Sequence, residues 1–336
     1  MRKIIVFMLV LILPLAAGCT QVDNNENQDI PDADNFSIVC TVFPQYDWVR
    51  QILGVNADNF DITLLLDNRI DLHNYQPSVD DIVNISNCDL FIYVGGESDE
   101  WAEGILSGAS NADMRVINLL EALGEAAKME VIIEGMEEFE ESHGHDEEED
   151  SDEDAGEPEY DEHVWLSLRN AQFFCSLIAD ELSLLDAGAA GEYRANYASY
   201  AEELSALDAE YQAAAGEASV RTLLFGDRFP FRYLADDYDI DYYAAFPGCS
   251  AETEASFETI IFLARKVDEM NLKNVIVTES SDRAIATTII SNTEGKNQQI
   301  IMMDALQSVT AGDIQSGTTY LSVMESNLKA LKEALQ

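Results

Sequence analysis

The chain has 336 residues, with 64 Asp and Glu against 18 Lys and Arg, giving a formal net charge of -46 at pH 7. So acidic a balance excludes nucleic acid and anionic membrane surfaces as partners, because polyanions are held by clusters of Lys and Arg. It suits a cationic ligand, although most surface carboxylates need do no more than keep the chain in solution.

Arg2 and Lys3 precede an apolar run from Ile4 to Leu15 that closes at Ala16-Ala17-Gly18-Cys19, the layout of a bacterial secretory signal. The run is shorter than the about 20 apolar residues a spanning helix needs. The small residues before Cys19 resemble a lipobox, which implies that Cys19 is lipidated and becomes the mature N-terminus. Residues 20–35 read as a flexible tether. The remainder, about 300 residues, is long enough for two domains with a core in each.

From residue 37 the chain alternates short β-favouring runs with helical patterns. Strands are expected at 37–43, 61–66, 90–94 and 115–119, and helices at 46–53, 79–85 and 101–106. From Met136 to Glu162 Glu and Asp dominate, with His143 and His145 among them, so a solvent-exposed acidic loop is expected. Helices follow at 170–185 and 191–217, the second long enough for a strut between lobes. A second βα series has strands at 222–225, 242–245, 275–278 and 299–303 and helices at 254–270, 282–291 and 318–335. The fold class is therefore α/β: two Rossmann-like lobes with parallel sheets, joined by a long interlobe helix, with a cleft beyond the carboxyl ends of the strands. The expected division is a signal at 1–19, a tether at 20–35, an N-terminal lobe at 36–187, a linking helix at 188–217 and a C-terminal lobe at 218–336.

Beyond Cys19 the cysteines stand at 40, 88, 175 and 249, never in a Cys-x-x-Cys pair, so no thiolate metal cluster is expected. Cys40 and Cys88 lie in strand-like runs and are compatible with a disulfide or with two buried thiols. Of the four histidines, His73 lies in a loop after a strand, and His163 emerges from the acidic segment before Val164-Trp165-Leu166. Neutral imidazole is the commonest zinc ligand and also serves manganese.

The segment His73-Asn74-Tyr75-Gln76-Pro77-Ser78-Val79-Asp80-Asp81-Ile82, with Asp89 to Gly96 after it, resembles the first ligand loop of the substrate-binding proteins of zinc and manganese ABC importers. His163-Val164-Trp165-Leu166-Ser167-Leu168-Arg169-Asn170-Ala171 resembles the second. Val42 to Asp47 and Tyr320 to Leu335 match as well, so the likeness spans nearly all of the expected mature chain. It implies that His73 and His163 bind the metal. The family's third ligand is a His or Glu shortly before an aromatic pair, where this chain reads Phe225-Gly226-Asp227-Arg228-Phe229-Pro230-Phe231-Arg232-Tyr233. Strict counting from Tyr233 reaches Arg228, a cation, so Asp227 becomes the candidate, with a capping role beside Arg228 or Arg232 as the other reading. Asp304 is the implied fourth ligand, and Glu279 is a weaker alternative. The acidic segment with His143 and His145 resembles a thin version of the His-rich insertion of zinc-binding members.

The resemblance implies a monomeric, lipid-anchored extracytoplasmic protein that captures Zn2+, with Mn2+ or iron as alternatives, and delivers it to an ABC permease. A secreted zinc hydrolase is the competing class, disfavoured because no His-Glu-x-x-His helix is present. A surface adhesin on the same scaffold is a third reading.

Overall fold

The computed structural model describes residues 35–136, 159–250 and 254–336. The expectations for Cys19, His143 and His145 lie outside these residues. From Phe36 to Gln336 the chain forms one compact unit.

The first half runs β1 (Phe36–Cys40), α1 (Phe43–Leu53), β2 (Phe60–Leu64), α2 (Val79–Asn87), β3 (Leu90–Tyr93), α3 (Trp101–Leu106), β4 (Arg115–Asn118) and α4 (Leu119–Leu123). Two helices follow, α5 (Leu168–Leu185) and α6 (Ala190–Glu217). The second half runs β5 (Thr222–Phe229), α7 (Arg232–Tyr238), β6 (Asp241–Pro247), α8 (Phe257–Glu269), β7 (Asn274–Val277), α9 (Ala284–Asn292), β8 (Gln299–Met302), α10 (Ala311–Gln315) and α11 (Tyr320–Ala334).

The strands form two four-stranded parallel sheets, ordered β2-β1-β3-β4 and β6-β5-β7-β8. The two orders are the same pattern, so the halves repeat each other in topology where their residues show no repeat. The central strands read as continuous apolar runs, Leu90-Phe91-Ile92-Tyr93 and Val275-Ile276-Val277, and all are buried, as a sheet covered on both faces requires. Side-chain caps start the helices: Ser78 accepts from Asp81 N–H and Ser167 from Asn170 N–H.

Three features differ from the sequence expectation. Strand β5 continues past Phe225 to Phe229 after a register irregularity between Phe225 and Arg228, so the polar pair Asp227-Arg228 lies inside the strand. The one-turn-plus helix α7 and the short α10 had no clear periodic signal. Last, the acidic segment is not solvent-exposed to its end: Tyr160 pairs with Met129, and Asp161 and Glu162 are 2% exposed.

Helix α6 has 28 residues, about 42 Å at 1.5 Å per residue. It packs on α1 and α5 of the first half and on α11 and α7 of the second. Tyr211 on α6 donates to the Met324 carbonyl of α11 at 2.6 Å. One large apolar cluster takes Trp48, Phe91 and Trp165 from the first half and Phe225, Tyr233 and Tyr320 from the second. Trp48 meets Tyr320 edge-on at 5.2 Å, and both are fully buried. Deleting a side chain of that size from such a core costs about 3–5 kcal/mol. Asp47 on α1 accepts the Tyr320 N–H at 2.9 Å, satisfying an otherwise unpaired donor at the start of α11. Cys40, Cys88 and Cys175 are buried free thiols, which settles the Cys40/Cys88 alternative against a disulfide.

Candidate metal centre

The segments at the carboxyl ends of both sheets converge. After β2 the chain makes a single turn, Leu72–Asn74, capped by Asp71, whose Oδ1 accepts the His73 N–H at 3.1 Å. Buried Leu72 on one side and buried Tyr75 on the other fix that turn in the core. On the second segment Asp161 Oδ1 accepts the His163 backbone N–H at 2.9 Å, and the following Val164-Trp165-Leu166 is fully buried. The Trp165 indole donates to the Ala305 carbonyl at 2.9 Å, and the Tyr320 hydroxyl donates to the Trp165 carbonyl at 2.7 Å. Those bonds hold the His163 backbone against the second half.

Each imidazole is oriented through Nδ1. His73 Nδ1 lies 2.8 Å from Ser98 Oγ and 3.3 Å from Glu162 Oε2, and His163 Nδ1 lies 3.0 Å from Asp161 Oδ1. Glu162 is itself held by the Ser98 N–H at 2.8 Å on its other oxygen. It reaches this place because Gly96, at φ 83°, has no side chain: a Cβ there would meet Glu162 Oε1 at 2.5 Å. In the tautomer that puts the proton on Nδ1, beside the carboxylate, Nε2 is the acceptor on each ring, and on His163 it accepts from the Gln307 side-chain amide at 2.9 Å. The two Nε2 atoms are 3.5 Å apart. In that tautomer the two lone pairs repel unless a proton or a metal cation lies between them. Zinc–nitrogen bonds of about 2.0–2.1 Å at a tetrahedral angle place two nitrogens about 3.4 Å apart.

The electrostatics follow from the same contacts. Burial acts to lower the pKa of His73, but the Glu162 and Asp71 carboxylates outweigh it and raise the pKa overall. Burial acts to raise Glu162, yet its bonds to His73 and Ser98 bring it below the usual carboxylate range. Asp71 behaves likewise, with the Arg228 guanidinium and His73 prevailing over burial.

Among the described residues, one group of three or more His, Cys, Asp or Glu side chains has its ligand atoms within 4.8 Å of one another: His73, His163 and Cys249. Cys249 follows β6, in Pro247-Gly248-Cys249-Ser250. Its N–H donates to Glu130 Oε1 at 2.8 Å. A Cβ on Gly248 would meet the Phe229 carbonyl at 2.9 Å and the His163 ring at 3.3 Å. Burial first, then the Asp161 and Glu130 carboxylates, push the Cys249 thiol well above its ordinary pKa.

The other residues singled out from sequence lie outside this group. Asp227 Oδ2 accepts from the Thr278 N–H and hydroxyl at 3.1 and 2.8 Å, and Oδ1 accepts the Arg228 N–H. Arg228 pairs with Asp71 and reaches the Ser250 carbonyl at 3.5 Å. Asp304 Oδ1 accepts the Leu306 N–H at 2.7 Å. Glu279 accepts from Ala305 N–H and Gln307 N–H, and burial beside Asp304 raises it to about 7. The Gln307 side-chain amide lies 2.9 Å from His163 Nε2. Sequence reasoning missed Cys249, Gln307, and the orienting pair Asp161 and Glu162. For Cys249 the signal was its place directly after a strand, where open parallel sheets put their ligands.

A family model described as ZnuA, zinc-uptake complex component A, periplasmic, matches residues 38–334. The chain is 28% identical over 333 residues to the zinc-binding lipoprotein AdcA of Streptococcus pneumoniae, covering 99% of this chain and 61% of that protein. It thus spans about three fifths of the length of the AdcA relatives it matches. It is 26% identical over 338 residues to the high-affinity zinc uptake system protein ZnuA of Bacillus subtilis, covering 98% and 96%. Among solved structures, the Zn(II)-bound ZnuA-like domain of S. pneumoniae AdcA has a TM-score of 0.67 at 26% identity, covering 90% of this chain and 99% of that one. The periplasmic zinc-binding protein TroA from Treponema pallidum shares the fold, with a TM-score of 0.68 at 19% identity, covering 90% and 99%.

Proposed function

The chain belongs to the ZnuA family of zinc-uptake components, and on that premise we propose that it captures Zn2+ outside the cytoplasm and delivers it to a membrane ABC importer. The observation that carries this reading is the pair of Nε2 atoms, 3.5 Å apart, on rings whose Nδ1 atoms face buried carboxylates. A pair of imidazoles held through Nδ1 in this way presents both Nε2 atoms to a shared cation. In this reading His73 and His163 are ligands. Asp227 and Asp304 stay outside the coordination sphere in this reading: the Asp227 carboxylate serves Thr278, and Asp304 Oδ1 caps its own turn at the Leu306 N–H.

The N-terminal pattern from Arg2 to Cys19 supports export and lipid anchoring through Cys19, with residues 20–35 as the tether. The proposed partners are the divalent ion, a permease and the membrane reached through that anchor, and the chain acts as a monomer.

The test is calorimetric titration of the metal-stripped full chain in detergent with Zn2+ and then Mn2+, beside a variant carrying His73→Ala and His163→Ala. One tight zinc site, lost in the double variant, is expected. Binding of neither ion, or tight binding that survives the double substitution, overturns the reading.

A further inference from the structure

We infer that Cys249 is the third protein ligand of this site, supplying a thiolate that makes it a two-imidazole, one-sulfur centre selective for zinc over manganese. The inference deepens the proposed function and rests on the His73–His163 pair binding a transition metal. Its ground is geometric: the Cys249 sulfur and one nitrogen from each histidine all lie within 4.8 Å of one another, on three segments distant in sequence.

Three further contacts show that the Cys249 segment is built into the site. Gly248 lies so close to the His163 ring that a Cβ would touch it, so the absence of a side chain there lets the segment lie flat on the imidazole. The Cys249 N–H is anchored on Glu130. Arg228 joins the His73 turn to this segment, through its pair with Asp71 and its contact with the Ser250 carbonyl. Arg228 also occupies the position where the family resemblance puts a third nitrogen or oxygen donor. A guanidinium cannot serve as that donor, and the sulfur lies beyond the end of the neighbouring strand, just after β6. Cys40, Cys88 and Cys175 are packed in the core, whereas Cys249 is the described cysteine that is not fully buried.

Thiolate is a soft donor. Together with imidazole it suits zinc, at about 2.3 Å for Zn–S, and it disfavours manganese, which takes carboxylate, carbonyl and water oxygens. On binding, the metal–sulfur bond forms as the thiol proton leaves to solvent, so capture releases one proton from Cys249. The thiolate also brings one negative charge to a cation otherwise held by two neutral rings.

The experiment is titration of the metal-stripped full chain in detergent with Co2+, followed by absorption spectroscopy. Wild type is expected to show an intense thiolate-to-cobalt charge-transfer band in the near-ultraviolet beside tetrahedral d–d bands. In Cys249→Ser the d–d bands remain, the charge-transfer band is lost, and zinc affinity falls by about a hundredfold or more, beyond the about 10–100-fold of an outer-shell partner. The zinc-over-manganese preference falls with it. Should the variant not fold, X-ray absorption on the zinc-loaded wild type decides: one sulfur at about 2.3 Å is expected. Stoichiometric Co2+ binding with no charge-transfer band, a band that survives in Cys249→Ser, or a zinc shell without sulfur overturns the inference and leaves the transport reading standing. Failure of wild type to bind Co2+ or Zn2+ at all overturns both.

Discussion

Arg228 on β5 forms an ion pair with Asp71, the same residue whose other carboxylate oxygen caps the turn carrying His73. A cation from the second half thus fixes the geometry of the loop that carries His73 in the first. Both side chains are more than four-fifths buried, so removing one leaves the other without compensation in a low-dielectric setting.

Arg228→Ala is therefore expected to destabilise the metal-free chain by about 3 kcal/mol. It should also weaken zinc binding by about tenfold or more through a misplaced His73. Urea denaturation of the stripped chain and zinc titration read the two effects separately. An unchanged affinity would show that the clamp does not position the ligand loop.

The orienting carboxylates give a graded prediction. Glu162→Gln keeps an oxygen acceptor near His73 Nδ1, whereas Glu162→Ala does not. Zinc affinity is expected to drop by about tenfold for the first and about a hundredfold for the second, within the range for outer-shell partners. Equal losses would mean that Glu162 acts through charge alone.

Gly248→Ala tests the close approach over His163. The added Cβ must push the Phe229 carbonyl or the imidazole aside. Zinc affinity should fall by about tenfold or more, with a loss of folding stability near 1 kcal/mol, in the range of small overpacking changes. A large stability loss with intact affinity would contradict the local geometry.

Stability should vary with pH in a definite sense. Burial raises both Asp99 and Glu279 to about 7. Between about pH 4 and 7 the folded chain then keeps protons that the unfolded chain has released, so stability falls as pH rises through that window. His73 adds to the trend: its folded pKa is raised, so its contribution is complete below the unfolded value and is lost as pH rises through the folded one. Asp71 and Glu162, being depressed, contribute above their unfolded values and lose that contribution only as pH falls through the folded ones. The metal-stripped chain should melt higher at pH 5 than at pH 7.5, by on the order of 2 kcal/mol or more at the midpoint. A higher melting temperature at pH 7.5 would contradict these assignments. Zinc affinity should run the other way, because a proton on His73 blocks its lone pair.

The alternation of apolar runs with helical patterns made the eight strands and the long α6 legible in the sequence, since a strand buried on both faces has to read as continuous Val, Ile, Leu and Phe. The length of β5 was not legible. Asp227-Arg228 interrupts the apolar run, and the partners that satisfy that polar pair within a strand, Thr278 and Asp71 among them, are remote in sequence. At the candidate site, His73 and His163 were singled out mainly by the family resemblance of the segments that carry them, with the rarity of histidine and their loop positions as lesser signals, and the structure brings their rings together. Cys249 was not, because a lone cysteine carries no spacing signal and its neighbours are known only once β6 is placed. Asp161 and Glu162 were hidden in a charge run, where nothing in the sequence sets two buried carboxylates apart from the other acidic residues.

Helix α6 and the apolar cluster it shares with both halves bear on how the molecule melts. Trp48, Trp165, Tyr211 and Tyr320 belong to a single packed body drawn from both halves, so the loss of order in one half removes packing from the other. Calorimetry should show one cooperative peak rather than two. Zinc bound at the proposed site would then stabilise that shared body, by about 2.7 kcal/mol when free zinc stands at a hundred times its dissociation constant.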